Sequence, residues 1–187
     1  LYLEVYRSQQ IESEVAMNER SGVITMHGKP LTLVGQEIKS GDTAPDFEAL
    51  DNGLNPVRFS SFRGKVVIVS AVPSLDTPVC DMETRRFNSE AAGLSGDIVI
   101  VTISMDLPFA QKRWCGAAGV DKVVTLSDHR AAEFGNSYGV LIKELRLLAR
   151  AVFVVDAKGV VRYVQLVKEV ADEPDYDAVL SAAKSLV

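Results

Sequence analysis

Cys80 and Cys115, 35 positions apart, are the two cysteines of the chain, and they are the side chains best placed to do chemistry. Cys80 closes the run Pro73-Ser74-Leu75-Asp76-Thr77-Pro78-Val79-Cys80, directly after an apolar, β-branched stretch. Thr77 suits a helix N-cap, and Pro78 suits the first helical turn, where its missing N–H loses no hydrogen bond. Cys80 then falls at the third helical position, among unpaired backbone N–H groups and at the positive end of the helix dipole. Both features favour a thiolate, the nucleophilic form of cysteine. Asp76, Asp81 and Glu83 work against it, so a nearby cation is expected. The competing reading is a small, inert, buried residue, the commonest fate of a free cysteine. Placement alone leaves both readings open.

Cys115 lies in Gln111-Lys112-Arg113-Trp114-Cys115-Gly116, near the end of a second helical segment expected from Leu107 to Trp114. It reads either as a second redox thiol or as a helix-end cysteine packed under Trp114. If that helix starts near Leu107, Cys115 lies about eight residues, or roughly 12 Å, along it. A disulfide needs Cα atoms within about 7 Å, so a Cys80–Cys115 bond would require local unwinding around both residues. Gly116 and Gly119 are the expected place for the second helix to loosen. His27 and His129 lack the Cys/His spacing of a zinc site, so no metal is expected.

The elements that position these residues alternate along the chain. Val23–Met26 and Leu31–Val34 flank His27-Gly28-Lys29-Pro30 and read as a hairpin. Phe47–Leu50 and Val57–Phe62 suggest short edge segments. Lys65–Val72 and Asp97–Ser104 have the continuous apolar character of strands buried on both faces, and Lys122–Leu126 is a third strand. Helical patterns follow these strands at Pro78 to about Leu94, Leu107–Trp114 and Ala131–Tyr138. Ala151–Asp156 and Val160–Leu166 form a late hairpin, and Asp175–Leu186 a final helix. Such alternation predicts an α/β fold with a largely parallel sheet covered on both faces and an antiparallel edge.

Composition narrows the class. The chain has 187 residues, 47% hydrophobic and 24% charged, with a net charge of −5. One domain with one core is expected. The acidity and the shortness of Arg85-Arg86 and Gln111-Lys112-Arg113 argue against nucleic acid as a partner. The longest apolar stretch, Val66–Val72, is interrupted by Ser70 and far shorter than a membrane span of ~18 residues. Two cysteines are too few for a disulfide scaffold. Residues 1–16 are mixed in polarity, unlike a secretory signal, and are expected to be a remnant or extension ahead of a natural start at Met17.

The pattern Pro73-x-x-x-Thr77-x-x-Cys80 resembles the active-site motif of the peroxiredoxins. The longer run PSLDTPVCDMETRRFN is similar to the bacterial thiol peroxidase branch of that family, the atypical two-cysteine type. So are Ser104-x-Asp106-Leu107-Pro108-Phe109-Ala110, Arg113-Trp114-Cys115-Gly116, Leu148-Ala149-Arg150-Ala151-Val152 and Glu173-Pro174-Asp175-Tyr176. The likeness extends from Gly22 to the C-terminus.

The resemblance implies a single thioredoxin-like domain over residues 17–187: a mixed central sheet flanked by helices, with an N-terminal β-hairpin. It makes Cys80 the peroxidatic cysteine and Cys115 the resolving one, joined in an intramolecular disulfide. The Thr77 hydroxyl would orient the peroxide, Pro73 and Pro78 would shape the pocket, and Arg150 would supply the missing cation, its guanidinium charged at any working pH. It further implies hydrogen peroxide and alkyl hydroperoxides as substrates, thioredoxin as reductant, no cofactor, a homodimer and a cytoplasmic location. Two rivals stand beside it. A thiol–disulfide oxidoreductase on this fold would normally carry C-x-x-C, but Thr77 occupies the position three before Cys80. A non-catalytic binding module would have no need of Pro73, Thr77, Cys80 and Arg150 together.

Overall fold

The computed structural model describes residues 18–187. The expected remnant at residues 1–16, and Met17 itself, lie outside them. The chain opens with β1 (Glu19–Met26) and β2 (Lys29–Val34), paired antiparallel. The turn between them is only His27-Gly28, and both residues have positive φ, 51° and 75°. That is the two-residue turn whose twist matches a hairpin, and Gly28 takes the conformation without steric cost.

Short strands β3 (Glu48–Leu50) and β4 (Pro56–Arg58) follow. The segment expected as one edge piece, Val57–Phe62, divides here, because a 3-10 turn takes over at Phe59–Phe62 and buries Phe59. Next come β5 (Val66–Ala71), α1 (Pro78–Ala91), β6 (Ile98–Ser104), α2 (Pro108–Ala118), β7 (Val124–Ser127) and α3 (Glu133–Ser137). A miniature pair, β8 (Leu141–Ile142) and β9 (Leu147–Leu148), leads to β10 (Ala151–Val155), β11 (Val161–Leu166) and α4 (Tyr176–Lys184). Asp175 caps α4 by accepting the Ala178 N–H at 3.0 Å.

The main sheet has the order β11-β10-β5-β6-β7-β3-β4, parallel only across β5-β6-β7. Side chains alternate between its two faces. Ile68, Ile100, Val152 and Val154 point to one face and pack under α1, α2 and α4, through Phe87, Trp114 and Val179. Val67, Val69, Ile103 and Phe153 point to the other, meeting Ile24, Leu33, Phe134 and Ile142. That second cover is largely the four-stranded sheet β1-β2-β8-β9, aided by the short α3. Each fully buried aliphatic residue contributes about 1.5–3 kcal/mol, so this two-sided core fixes the sheet on which the site is mounted.

Candidate active site

The parallel strand order puts the ends of β5 and β6 at one edge of the sheet, where each chain turns into a helix. Val72–Thr77 joins β5 to α1, and this link is tied down from the neighbouring strand. The Asp106 carboxylate accepts from Ser74 Oγ at 2.7 Å and Leu75 N at 2.8 Å, and from Ser104 Oγ at 2.8 Å. Pro73 is buried within the link. Pro78 begins α1, so Cys80 is its third residue, fully buried.

Thr77 occupies the N-cap position with extended backbone, yet its side chain makes no capping hydrogen bond. The expected capping role is replaced by another. Its hydroxyl is 2.8 Å from both Ser74 O and Cys80 Sγ. One proton faces two acceptors, so the hydroxyl can donate to the sulfur when Cys80 is a thiolate.

The expected cation is present. Arg150, between β9 and β10, is only 2% exposed. Each of its three nitrogens has a partner: Nε donates to Val170 O at 3.1 Å, Nη1 to Glu83, and Nη2 lies 3.4 Å from Cys80 Sγ. Glu83, one helical turn after Cys80 and itself fully buried, also accepts from Ser70 Oγ at 2.6 Å. Burial pushes the Glu83 carboxyl upward, opposed by Arg150 and Ser70. Burial would draw the Arg150 guanidinium down, but Glu83 and Cys80 carry it above its ordinary value. Glu83 therefore serves as the counterion of Arg150, a role the sequence did not suggest. Its only sequence signal was Ser70, the polar residue interrupting the apolar strand.

Above Arg150 opens a cleft of about 310 Å³. Its walls are Met26, Pro73, Pro78, Val79, Val170 and Ala171, with Thr77 and His27 at the polar positions. The β1–β2 hairpin forms part of this wall because Glu169 binds it. The Glu169 carboxylate accepts from Thr25 Oγ1 at 2.8 Å and from the backbone N–H of His27 and Gly28 at 2.9 and 3.1 Å. These donors bring its carboxyl down to about 2.

Pro73, Thr77 and Arg150 thus line one cleft, with the buried Cys80 sulfur against Thr77 and Arg150, whereas Cys115 makes no contact with this group. It is a free, half-buried thiol on α2, with Thr125 Oγ1 at 3.6 Å and Asn52 Nδ2 at 3.9 Å from its sulfur. The helix runs on to Ala118 rather than ending at Trp114, so Gly116 lies inside it. Gly119 ends it in the left-handed conformation. Among the described residues, no group of three or more His, Cys, Asp or Glu side chains could hold a metal ion. No described helix is long and apolar enough to cross a membrane.

The Redoxin family profile matches residues 39–180. A thiol peroxidase of Bacillus subtilis (strain 168) is 58% identical over 164 residues, covering 88% of this chain and 98% of its own length. A thiol peroxidase of Staphylococcus aureus (strain MRSA252) is 56% identical over 163 residues, covering 87% and 98%. Among solved structures, a peroxiredoxin-like protein from Aquifex aeolicus superimposes with a TM-score of 0.84 at 42% identity, covering 90% of this chain and 98% of that one.

Proposed function

The chain belongs to the redoxin family and is a thiol-dependent peroxidase, and on that premise we propose that Cys80 attacks the peroxide while Cys115 resolves the product. The observation that carries this is the convergence of Thr77 and Arg150 on the Cys80 sulfur beneath a cleft.

In the first step the Cys80 thiolate attacks one peroxide oxygen and forms an S–O bond as the O–O bond breaks. The departing oxygen takes the electron pair and a proton and leaves as water or alcohol, and Cys80 becomes a sulfenic acid. Negative charge spreads from sulfur to the leaving oxygen in the transition state. Arg150, fixed by Glu83 and Val170 O, and the Thr77 hydroxyl meet that charge without reorganising. The apolar cleft walls suit the organic part of an alkyl hydroperoxide as well as hydrogen peroxide. In the second step Cys115 attacks the Cys80 sulfur and displaces hydroxide, which takes the thiol proton and leaves as water. The resulting disulfide is reduced by an external dithiol through exchange, and thioredoxin is the reductant we assign. The cycle needs no cofactor, since the oxidant is the substrate.

A homodimer using the active-site face accords with the exposed Leu107 and Phe109 at the start of α2. A cytoplasmic location accords with a redox-active rather than structural cysteine pair.

Peroxide-dependent oxidation of reduced thioredoxin tests the whole cycle. Cys80→Ser is expected to abolish it, and retained activity would refute the nucleophile assignment. Cys115→Ser is expected to complete one turnover and stop at the sulfenic acid. A normal multi-turnover rate would refute its resolving role.

A further inference from the structure

We propose that Asp81, Arg85 and Asn88 of α1 form a clasp on the Cys115 end of α2, and that its strength sets how the Cys80 sulfenic acid divides between disulfide formation and overoxidation. The inference rests on the reading of Cys80 and Cys115 as attacking and resolving thiols.

The three residues are spaced i, i+4, i+7, which places them along one face of α1. Each reaches a different point on α2 or the loop after it. Asp81 Oδ1 accepts from Trp114 Nε1 at 2.9 Å. Arg85 Nε donates to Asp81 Oδ2 at 2.9 Å, and its Nη1 donates to Ala118 O, also at 2.9 Å. That carbonyl belongs to the last turn of α2, where helices leave such groups unpaired. The Arg85 guanidinium also lies 5.7 Å from the Trp114 ring centre. Asn88 Oδ1 accepts the backbone N–H groups of Asp121 and Lys122 at 3.1 and 2.7 Å.

Cys115 therefore sits between two pinned residues, Trp114 and Ala118. Its sulfur faces Thr125 and Asn52, and both thiols are free. To reach Cys80 it must leave these neighbours, and the turn from Trp114 to Ala118 must move with it. The contacts of the clasp are polar and lie at the surface: the Arg85 and Asp81 side chains are 47% and 36% exposed. Such contacts are individually modest, so opening is accessible. None of the three clasp residues touches the Cys80 sulfur, Thr77 or Arg150 through its side chain, so opening can change without altering the first step.

Two reactions compete for the sulfenic acid. Cys115 can condense with it, giving the disulfide and water. Alternatively, a second hydroperoxide can transfer one oxygen to the Cys80 sulfur, giving the sulfinic acid and an alcohol. A tighter clasp delays the first reaction and favours the second.

Arg85→Gln removes the Ala118 and Asp81 links together. Loss of contacts of this kind is expected to speed disulfide formation about threefold to tenfold, and to raise the peroxide dose for half overoxidation by a similar factor. In a Cys115→Ser background the rate of Cys80 oxidation should be unchanged, which separates opening from chemistry. Trp114→Phe, which keeps an aromatic ring and removes only the indole donor, should shift the same partition in the same direction. Mass mapping of the wild-type protein after one equivalent of peroxide fixes the premise. If the Cys80–Cys115 bond forms but both variants resolve and overoxidise as wild type does, the clasp is refuted. If wild type forms no such bond, the two-cysteine reading fails and the clasp with it.

Discussion

Replacing Arg150 by Met tests the buried electrostatics directly. The guanidinium holds three acceptors: Glu83, Val170 O and the Cys80 sulfur. Met fills similar space but supplies no donor, so Glu83 is left fully buried with only the Ser70 hydroxyl. Breaking a buried pair in this way costs about 3–5 kcal/mol, because an unpaired charge remains. The carboxylate can escape by taking a proton. At pH 7 that step costs about 3.7 kcal/mol for a carboxyl of ordinary pKa near 4.3, and at pH 5 about 1 kcal/mol.

The sign follows from burial. Glu83 is already raised in the folded protein, and removing Arg150 removes the largest influence that lowers it. An acid raised by folding contributes stability that is present at low pH and lost as pH rises through its folded value. Arg150→Met should therefore be more destabilising at pH 7 than at pH 5, by up to about 2.7 kcal/mol, one proton over two pH units. Urea unfolding of the reduced protein at both values measures it. The double variant Arg150→Met/Glu83→Leu should be more stable at pH 7 than Arg150→Met alone, since both charges are then gone. An equal loss at both pH values, or strictly additive losses in the double variant, would refute the pairing. Peroxide reduction should fall on the order of 10²-fold or more in Arg150→Met, as expected when a preorganised donor is removed from a developing charge.

Thr77→Val deletes the hydroxyl 2.8 Å from Cys80 Sγ, and stopped-flow rates of Cys80 oxidation should drop about 10²-fold, while Thr77→Ser stays near wild type. Asp128 is buried against the N–H groups of Phe134 and Gly135, and burial raises its pKa to about 6. Wild-type stability should fall as pH rises from about 4 to about 6, by about 3 kcal/mol at most, and urea unfolding of Asp128→Asn should lack this slope. Glu169→Ala releases the hairpin from the cleft wall. It should raise KM for a bulky organic hydroperoxide more than for hydrogen peroxide, and speed amide exchange at His27 and Gly28.

How much of this was readable in the sequence differs between the strands and the contacts that join them. Runs rich in β-branched apolar residues announced β5, β6 and β10, because strands buried on both faces are apolar at nearly every position, with Ser70 and Thr102 the buried polar exceptions. The start of α1 was equally clear, since Pro78 fits the first turn and little else. The pair β8–β9 was not readable, as two-residue strands have no periodicity and exist only by pairing, β8 with β2 and β9 with β8. Nor was the Glu83–Arg150 pair, whose members are 67 positions apart and meet only when β10 pairs with β5. Sequence chemistry correctly demanded a cation near Cys80, but it counted Glu83 as an opposing charge. The fold turns that charge into the counterion that orients the cation.

The site is mounted on parts of unequal rigidity, and this has a functional consequence. Arg150 sits beside strands, while Ser70 lies within β5 and Asp106 follows β6. These are held by ladders running across the sheet. Cys80 and Cys115 ride on α1 and α2, joined to each other by side-chain contacts at the surface. In the proposed cycle, peroxide attack needs Cys80 fixed against Arg150, whereas disulfide formation needs the cysteines released toward one another. A wholly rigid site would serve the first step and block the second; a loose one would do the reverse. In the proposed cycle, Cys115 on α2 can move toward Cys80 while Arg150 keeps its place beside β10, ready when reduction returns Cys80.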